Sequence, residues 1–206
     1  MENQDKRMAT IKRKTAETDI EVYLELDPDD KSKVGSLNNI STGCGFLDHM
    51  LTLMASHGNF RMDVKCQGDT YVDYHHSVED VGIALGEAFR TSLGDMKGIV
   101  RYGDIILPMD EALMICAVDI SGRGMLGMDV SIPTEKIGDF DSELIKEFFI
   151  AFARKAEVTL HFKQLSGDNS HHIAESMFKA FGRVMAKAVA IDKEKVGVIP
   201  STKGVL

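Results

Sequence analysis

Apolar and polar positions along the chain keep two rhythms, and both recur in each half. In TDIEVYLELD, residues 18–27, Ile20, Val22, Leu24 and Leu26 occupy every second position, the period of a half-buried strand. DPDDK then reads as a charged turn opening a loop. In FLDHMLTLMASHG, Phe46, Leu47, Met50, Leu53 and Met54 share one helical face, with Gly58 as the stop. FRMDVKCQGD returns to a strand and closes on a Gly-Asp turn. SVEDVGIALGEAFRTSL is a second helix, striped by Val78, Val81, Leu85 and Phe89.

The second half runs through the same sequence of elements. EALMICAVDIS and MLGMDVSIP read as strands, DSELIKEFFIAFARKA as a helix, VTLHFKQLSG as a strand and SHHIAESMFKAFGRVMAKAV as a long helix. Strands followed by helix, strand and helix, twice over, predict an α+β fold made by tandem duplication of one sheet-plus-two-helices unit. No Pro/Gly/Ser-rich linker divides the chain. It is therefore expected to form a single domain of two similar halves, about residues 1–98 and 99–206.

Composition narrows the function. Of the 206 residues, 44% are hydrophobic and 27% charged, ordinary values for a globular protein. The net charge of -8 argues against a nucleic-acid partner, so an anionic ligand needs a local basic cluster. Cys44, Cys66 and Cys116 are odd in number and widely spaced, which suits reduced thiols. No apolar run is long enough for a membrane span, and MENQDKR lacks the apolar segment of a signal peptide, so a cytoplasmic location is expected.

The chemistry is concentrated in a motif that occurs twice. DYHHSVED carries His75, His76 and Glu79; NSHHIAESM carries His171, His172 and Glu175. Neighbouring helical residues diverge by about 100°, so two adjacent histidines cannot readily share an ion. Residues four apart do share a face, which pairs His75 with Glu79 and His171 with Glu175. His76 and His172 are left over, and two copies complete two sites reciprocally. One site takes His75, Glu79 and His172, and the other takes His171, Glu175 and His76. His49 and Glu147, each on the preceding helix, are natural fourth ligands. Imidazole and carboxylate without thiolate suit Mn²⁺, Fe²⁺ or Zn²⁺ better than Ca²⁺ or Mg²⁺.

TAET, GFLDHMLTLMASHGNF, DYHHSVEDVGIALGEAF, RYGDIILPMDEAL, VDISGRG, QLSGDNSHHIAESMFKAF and IPSTKGVL occur in order along nearly the whole chain. On these motifs the sequence resembles the imidazoleglycerol-phosphate dehydratases of histidine biosynthesis. The resemblance implies a duplicated unit of the ribosomal protein S5 domain 2-like kind, sheets packed on helices. It implies manganese-dependent dehydration of imidazole glycerol phosphate, with two Mn²⁺ per active site. It also implies a cage of twenty-four subunits whose active sites lie between them. Position by position, it places His49, His76, His171 and Glu175 on one manganese, and His75, Glu79 and His172 on the other. Where the family usually adds a histidine to the second set, this chain has Glu147, still a competent ligand but with one more negative charge. Other departures are Tyr74, Gly124 and extra residues in DPDDKSK. The resemblance further points to Glu17 as the catalytic base or hydroxyl partner. It gives the substrate phosphate Arg101, Arg123, Lys179, Ser201 and Lys203.

The implied chemistry accounts for the doubling. Two ions flanking one imidazole stabilise it as imidazolate, a Lewis-acid effect that lets the ring expel the neighbouring hydroxyl. Two rival functions use similar ligands. A dinuclear phosphate-ester hydrolase would hold a bridging water, and weak inhibition by triazoles would mark it. A non-enzymatic metal-binding cage would have no use for Glu17 or the basic cluster. His57 reads equally as a helix-end cation or a substrate contact, His161 as a structural strand residue, and the Met50–Met54 face as core.

Overall fold

The computed structural model describes residues 6–31 and 34–206. Residues 1–5 of the charged leader and residues 32 and 33 of the DPDDKSK loop lie outside the described residues. The first half contains strands β1 (Met8–Lys14) and β2 (Thr18–Glu25), a short helix α1 (Val34–Leu37), strand β3 (Asn39–Ser41), helix α2 (Gly45–Gly58), strand β4 (Arg61–Gly68) and helix α3 (His75–Ser92). The second half contains β5 (Tyr102–Met109), β6 (Ala112–Asp119), β7 (Met125–Asp129), the small β8 (Lys136–Ile137) and β9 (Phe140–Asp141) pair, α4 (Leu144–Ala156), β10 (Thr159–Ser166) and α5 (Ser170–Val189).

The two large sheets have one topology. The first is ordered β1-β2-β4-β3 and the second β5-β6-β10-β7. In each, three antiparallel strands are followed by a short parallel edge strand, β3 on β4 and β7 on β10. Strand burial alternates along β2 and β6, so each sheet keeps one covered face. The expected duplicated α+β unit is therefore the architecture observed.

The four long helices cover the inner faces and join the halves. α3 lies on β1 and β2, α5 lies on β5 and β6, and across the seam α3 meets α4 and α2 meets α5. Two glycines permit this approach. A Cβ on Gly82 would sit 2.7 Å from the carbonyl oxygen of Phe148, and one on Gly182 would sit 2.3 Å from that of Met54. Phenylalanines fill the space between: Phe149 touches Phe162, Phe178 and Phe181, while Phe152 bridges Phe89 of α3 and Phe181 of α5. One continuous core runs through both halves.

The helix stripes agree with their sequence pattern, with one rotation and one change of cap. Val78, Val81, Leu85 and Phe89 are fully buried. On α2, Leu51 and Ala55 join Leu47, Met50 and Met54 in the core, while Phe46 and Leu53 are half-buried, because the helix is covered on two sides. Gly58 is the last helical residue rather than the left-handed one; Asn59 takes that conformation at φ 54°. Gly58 is required for another reason, since a Cβ there would meet the Phe60 ring at 2.4 Å.

Candidate metal and substrate site

Both double-histidine motifs open a helix, and both are set by the same local device. The Asp73 Oδ1 accepts from the backbone N–H of His75 at 2.8 Å. The Asn169 Oδ1 accepts from the N–H groups of His171 and His172 at 3.0 and 3.2 Å. Both residues lie two positions before a histidine pair, but only Asn169 is the N-cap of its helix; α3 begins at His75 itself, after Tyr74, whose side chain makes no cap bond. The first histidine of each pair then faces the glutamate one turn on. His75 Nε2 is 3.8 Å from Glu79, and His171 Nε2 is 3.2 Å from Glu175.

The crossing of α2 and α5 brings a third ligand to one pair. His49 on α2 places Nε2 at 3.0 Å from the Glu175 oxygen that also meets His171. His49, His171 and Glu175 have their ligand atoms within 4.8 Å of one another, the one such group of three among the described residues. Ligands cis to each other on an octahedral ion at about 2.2 Å stand about 3 Å apart, so the observed separations fit a divalent ion. Burial pushes the Glu175 carboxyl up, but hydrogen bonds and charge from Lys179, His49 and His171 outweigh it and hold it down at about 2. Lys179 Nζ donates to the other Glu175 oxygen at 2.6 Å and is itself largely buried.

The second histidines are held differently. His76 Nδ1 lies 3.0 Å from Asp69 Oδ2, and His172 Nδ1 lies 2.8 Å from Glu111 Oε2. These hydrogen bonds raise both rings above the ordinary histidine range, Asp69 acting on His76 and Glu111 on His172. The Nε2 atoms look towards a second acid at longer range, Glu17 at 3.7 Å from His76 and Asp110 at 3.8 Å from His172. Within one chain His76 therefore does not join His171 and Glu175, nor does His172 join His75 and Glu79. The reciprocal pairing read from the sequence is not closed inside a single copy, because each second histidine is turned to its own acids.

Glu17 occupies the β1–β2 turn. Its backbone N–H donates to Thr15 Oγ1 at 3.1 Å, and its carbonyl accepts from Asp69 N–H at 3.1 Å. Below it, the nearly buried Asp80 accepts from Arg13 at 2.7 and 2.9 Å and from Thr18 Oγ1 at 2.6 Å. The turn that carries Glu17 is thus fastened to α3, the helix that carries His76.

The basic residues fall into two groups. Arg101 adopts a left-handed backbone at φ 77°, and its guanidinium is bound to Asp119 at 2.7 and 3.2 Å. Its third contact, to the carbonyl of Pro200 at 2.8 Å, ties it to the C-terminal segment. That segment carries Ser201, whose Oγ accepts from Lys203 N–H at 3.2 Å, and returns to Gly122, against which Leu206 lies. Arg123 follows Gly122 and is exposed. Arg101, Arg123, Ser201 and Lys203 thus share one neighbourhood, while Lys179 stands apart beside Glu175. Arg101 shares its positive φ with Asn59, Met96, Asp110 and Glu157, and what sets it apart is that its guanidinium joins Asp119 to the C-terminal segment.

Glu147 sits half-buried in the first turn of α4, the second-half counterpart of the helix bearing His49, and has no side-chain partner among the described residues. His57 is in the last turn of α2; burial, with Arg183 and Lys179 nearby, lowers its pKa. His161 covers Gly127 of the neighbouring strand, where a Cβ would meet its ring at 2.3 Å. Tyr74 donates to Asp139 at 2.8 Å. Sequence reasoning missed Asp69, Asp80, Asp110 and Glu111. The Gly-Asp turn and the MDEAL motif were visible, but which ring each acid meets depends on tertiary contacts. No helix among the described residues is long and apolar enough to cross a membrane.

Comparison with known proteins covers nearly all of this chain. Residues 42–185 match the family model for imidazoleglycerol-phosphate dehydratase. A curated imidazoleglycerol-phosphate dehydratase of Methylobacterium radiotolerans is 56% identical over 200 residues, spanning 97% of this chain and 100% of that one. The crystal structure of the Staphylococcus aureus enzyme of that name superposes with a TM-score of 0.79 at 37% identity, covering 90% of this chain and 99% of that one. A Pyrococcus furiosus structure, solved in complex with (S)-C348, gives 0.80 at 38% identity over 95% and 100%.

Proposed function

The chain belongs to the imidazoleglycerol-phosphate dehydratase family, and on that premise we propose that two manganese ions, held between copies of the chain, serve its dehydration reaction. As a hydro-lyase of histidine biosynthesis, it converts imidazole glycerol phosphate to imidazole acetol phosphate and water. The observation that carries the metal proposal is the convergence of His49, His171 and Glu175 from two helices of different halves. Three donors of imidazole and carboxylate type leave room for further ligands, and His76 of the partner subunit supplies the fourth. His75 and Glu79 make the second half-site, completed by the partner subunit's His172 and by Glu147. The in-chain separation of each second histidine from the other motif supports this exchange, and the assembly we propose for it is the cage of twenty-four. We read the chain as one catalytic domain of two halves, about 1–98 and 99–206.

When bound, the manganese ions would supply Lewis acidity to the substrate's imidazole. The residues of the chain do the rest. Glu17, fastened beside His76, takes the proton from the side-chain carbon next to the ring-bearing position. Asp80, Arg13 and Thr18 fasten the turn that carries the exposed Glu17 to α3, beside His76. Lys179 keeps Glu175 ionised and so able to ligate. Arg101, Arg123, Ser201 and Lys203 hold the phosphate at the far end of the substrate, with Lys179 as a further cation on the metal side. The test is an assay of imidazole glycerol phosphate dehydration by metal-stripped protein, then with Mn²⁺ restored. Activity should vanish and return; no return with Mn²⁺ would overturn the proposal.

A further inference from the structure

Resting on the metal reading above, we propose that Asp69 and Glu111 are positioning residues that fix the tautomer and tilt of His76 and His172. Each ring then presents Nε2 to a metal ion. An ionised carboxylate only accepts hydrogen bonds. An acid at 3.0 Å from His76 Nδ1 or 2.8 Å from His172 Nδ1 therefore requires the proton on that nitrogen. The neutral ring then has its lone pair on Nε2, the atom that a ligand needs.

The acids are themselves immobilised. The Asp69 backbone N–H donates to the Glu17 carbonyl at 3.1 Å, and its carbonyl accepts from Val72 N–H at 2.9 Å. Glu111 uses its other oxygen to accept from Asn169 N–H at 3.2 Å, the cap of the helix that carries His172. Its carbonyl accepts from Ser166 Oγ at 2.9 Å.

Two further features separate this from a chance ion pair. First, the contact is not a copy produced by duplication. Asp69 leaves the end of β4, whereas Glu111 lies in the β5–β6 turn, so different elements deliver the same contact to equivalent rings. Second, the device appears only where it is needed. His49, His75 and His171 each face a glutamate of their own half-site with Nε2. His76 and His172 cross to another copy, so no companion ligand in their own chain sets their rings.

The test is a titration of metal-stripped protein with Mn²⁺, read from the EPR signal of the free ion. The unsubstituted chain should bind two ions per subunit. Asp69→Ala should weaken one of them about 10–100-fold and leave the other, and Glu111→Ala should weaken the other one. Asp69→Glu should recover part of the loss, while Asp129→Asn, on an exposed strand, should change nothing. Both alanine variants binding within twofold of the unsubstituted chain would overturn the inference. Should the alanine variants not fold, Asp69→Asn and Glu111→Gln read the same affinities. Neutron diffraction of the Mn²⁺-loaded protein checks the tautomer directly: deuterium on Nδ1 of both rings supports the inference, and Nδ1 without deuterium overturns it. An unsubstituted chain that binds no Mn²⁺ would instead overturn the metal reading and this inference with it.

Discussion

Replacing Lys179 with methionine isolates the electrostatics of the three-ligand group. Lys179 and Glu175 meet at 2.6 Å with side-chain exposures of 16% and 10%, so solvent screens the pair little. The carboxyl is held from 4.5 down to about 2, burial opposing the shift and Lys179, His49 and His171 producing it. At about 1.4 kcal/mol per pKa unit, the ionised group contributes ~3 kcal/mol to the metal-free protein. Lys179 supplies the largest favourable part, so Lys179→Met should cost ~2 kcal/mol without metal. For a chain of this size that is a fall of about 4–8 °C in Tm. The sign with pH follows from the depressed carboxyl. Its contribution is complete above the unfolded value of 4.5 and is lost as pH falls towards 2, so the gap between variant and parent should close over that window. Mn²⁺ should close it as well, since an ion on Glu175 takes over the role of the ammonium. Thermal unfolding by circular dichroism at matched protein concentration, stripped and Mn²⁺-loaded, reads both effects. A metal-free Tm within 1 °C of the parent, or an equal loss with and without Mn²⁺, would refute the reasoning.

Substitutions at three other positions probe other parts of the site. Glu17→Gln should lower the dehydration rate at least about a hundredfold while Mn²⁺ content and assembly stay unchanged; near-normal turnover would remove Glu17 as base. Glu147→Ala should weaken one Mn²⁺ per subunit about tenfold or more, and Glu147→His should retain it. Elemental analysis after dialysis decides this, and equal metal content in all three would take Glu147 out of the ligand set. Gly182→Ala forces a methyl against the Met54 carbonyl at 2.3 Å, prising α2 from α5. It should cost about 1–3 kcal/mol and weaken Mn²⁺ binding, because His49 rides on α2 and Glu175 on α5. Unchanged stability in denaturant would show that the helices do not need this contact.

The elements easiest to read from the sequence were those with a strong period and a buried face. α3, α4, α5, β2, β4, β6, β7 and β10 all fall where alternation or helical stripes put them. β1 and β5 were missed because each is an edge strand with a thin apolar face. β1 alternates Ala9 and Ile11 with lysine, arginine and threonine, and β5 carries Pro108, tolerable only at an edge. The short β8–β9 pair has no period to detect. At the site, the i to i+4 pairs His75–Glu79 and His171–Glu175 were legible because helical geometry fixes them. The convergence of His49 on Glu175 was not derivable from spacing, since it depends on how closely two glycine-bearing helices cross. The acids on His76 and His172 were invisible for a related reason: Glu111 is 61 residues from His172, and only the sheet register brings its turn to that helix.

The central claim is that each active site holds two ions clamped between double-histidine motifs of different copies. Anomalous diffraction at the manganese edge, on crystals of the Mn²⁺-loaded assembly, tests it most directly. Two peaks per site are expected. One lies among His49, His171, Glu175 and His76 of the partner subunit, and the other among His75, Glu79 and His172 of the partner subunit. A single peak per site, or ligand sets closed within one chain, would contradict it.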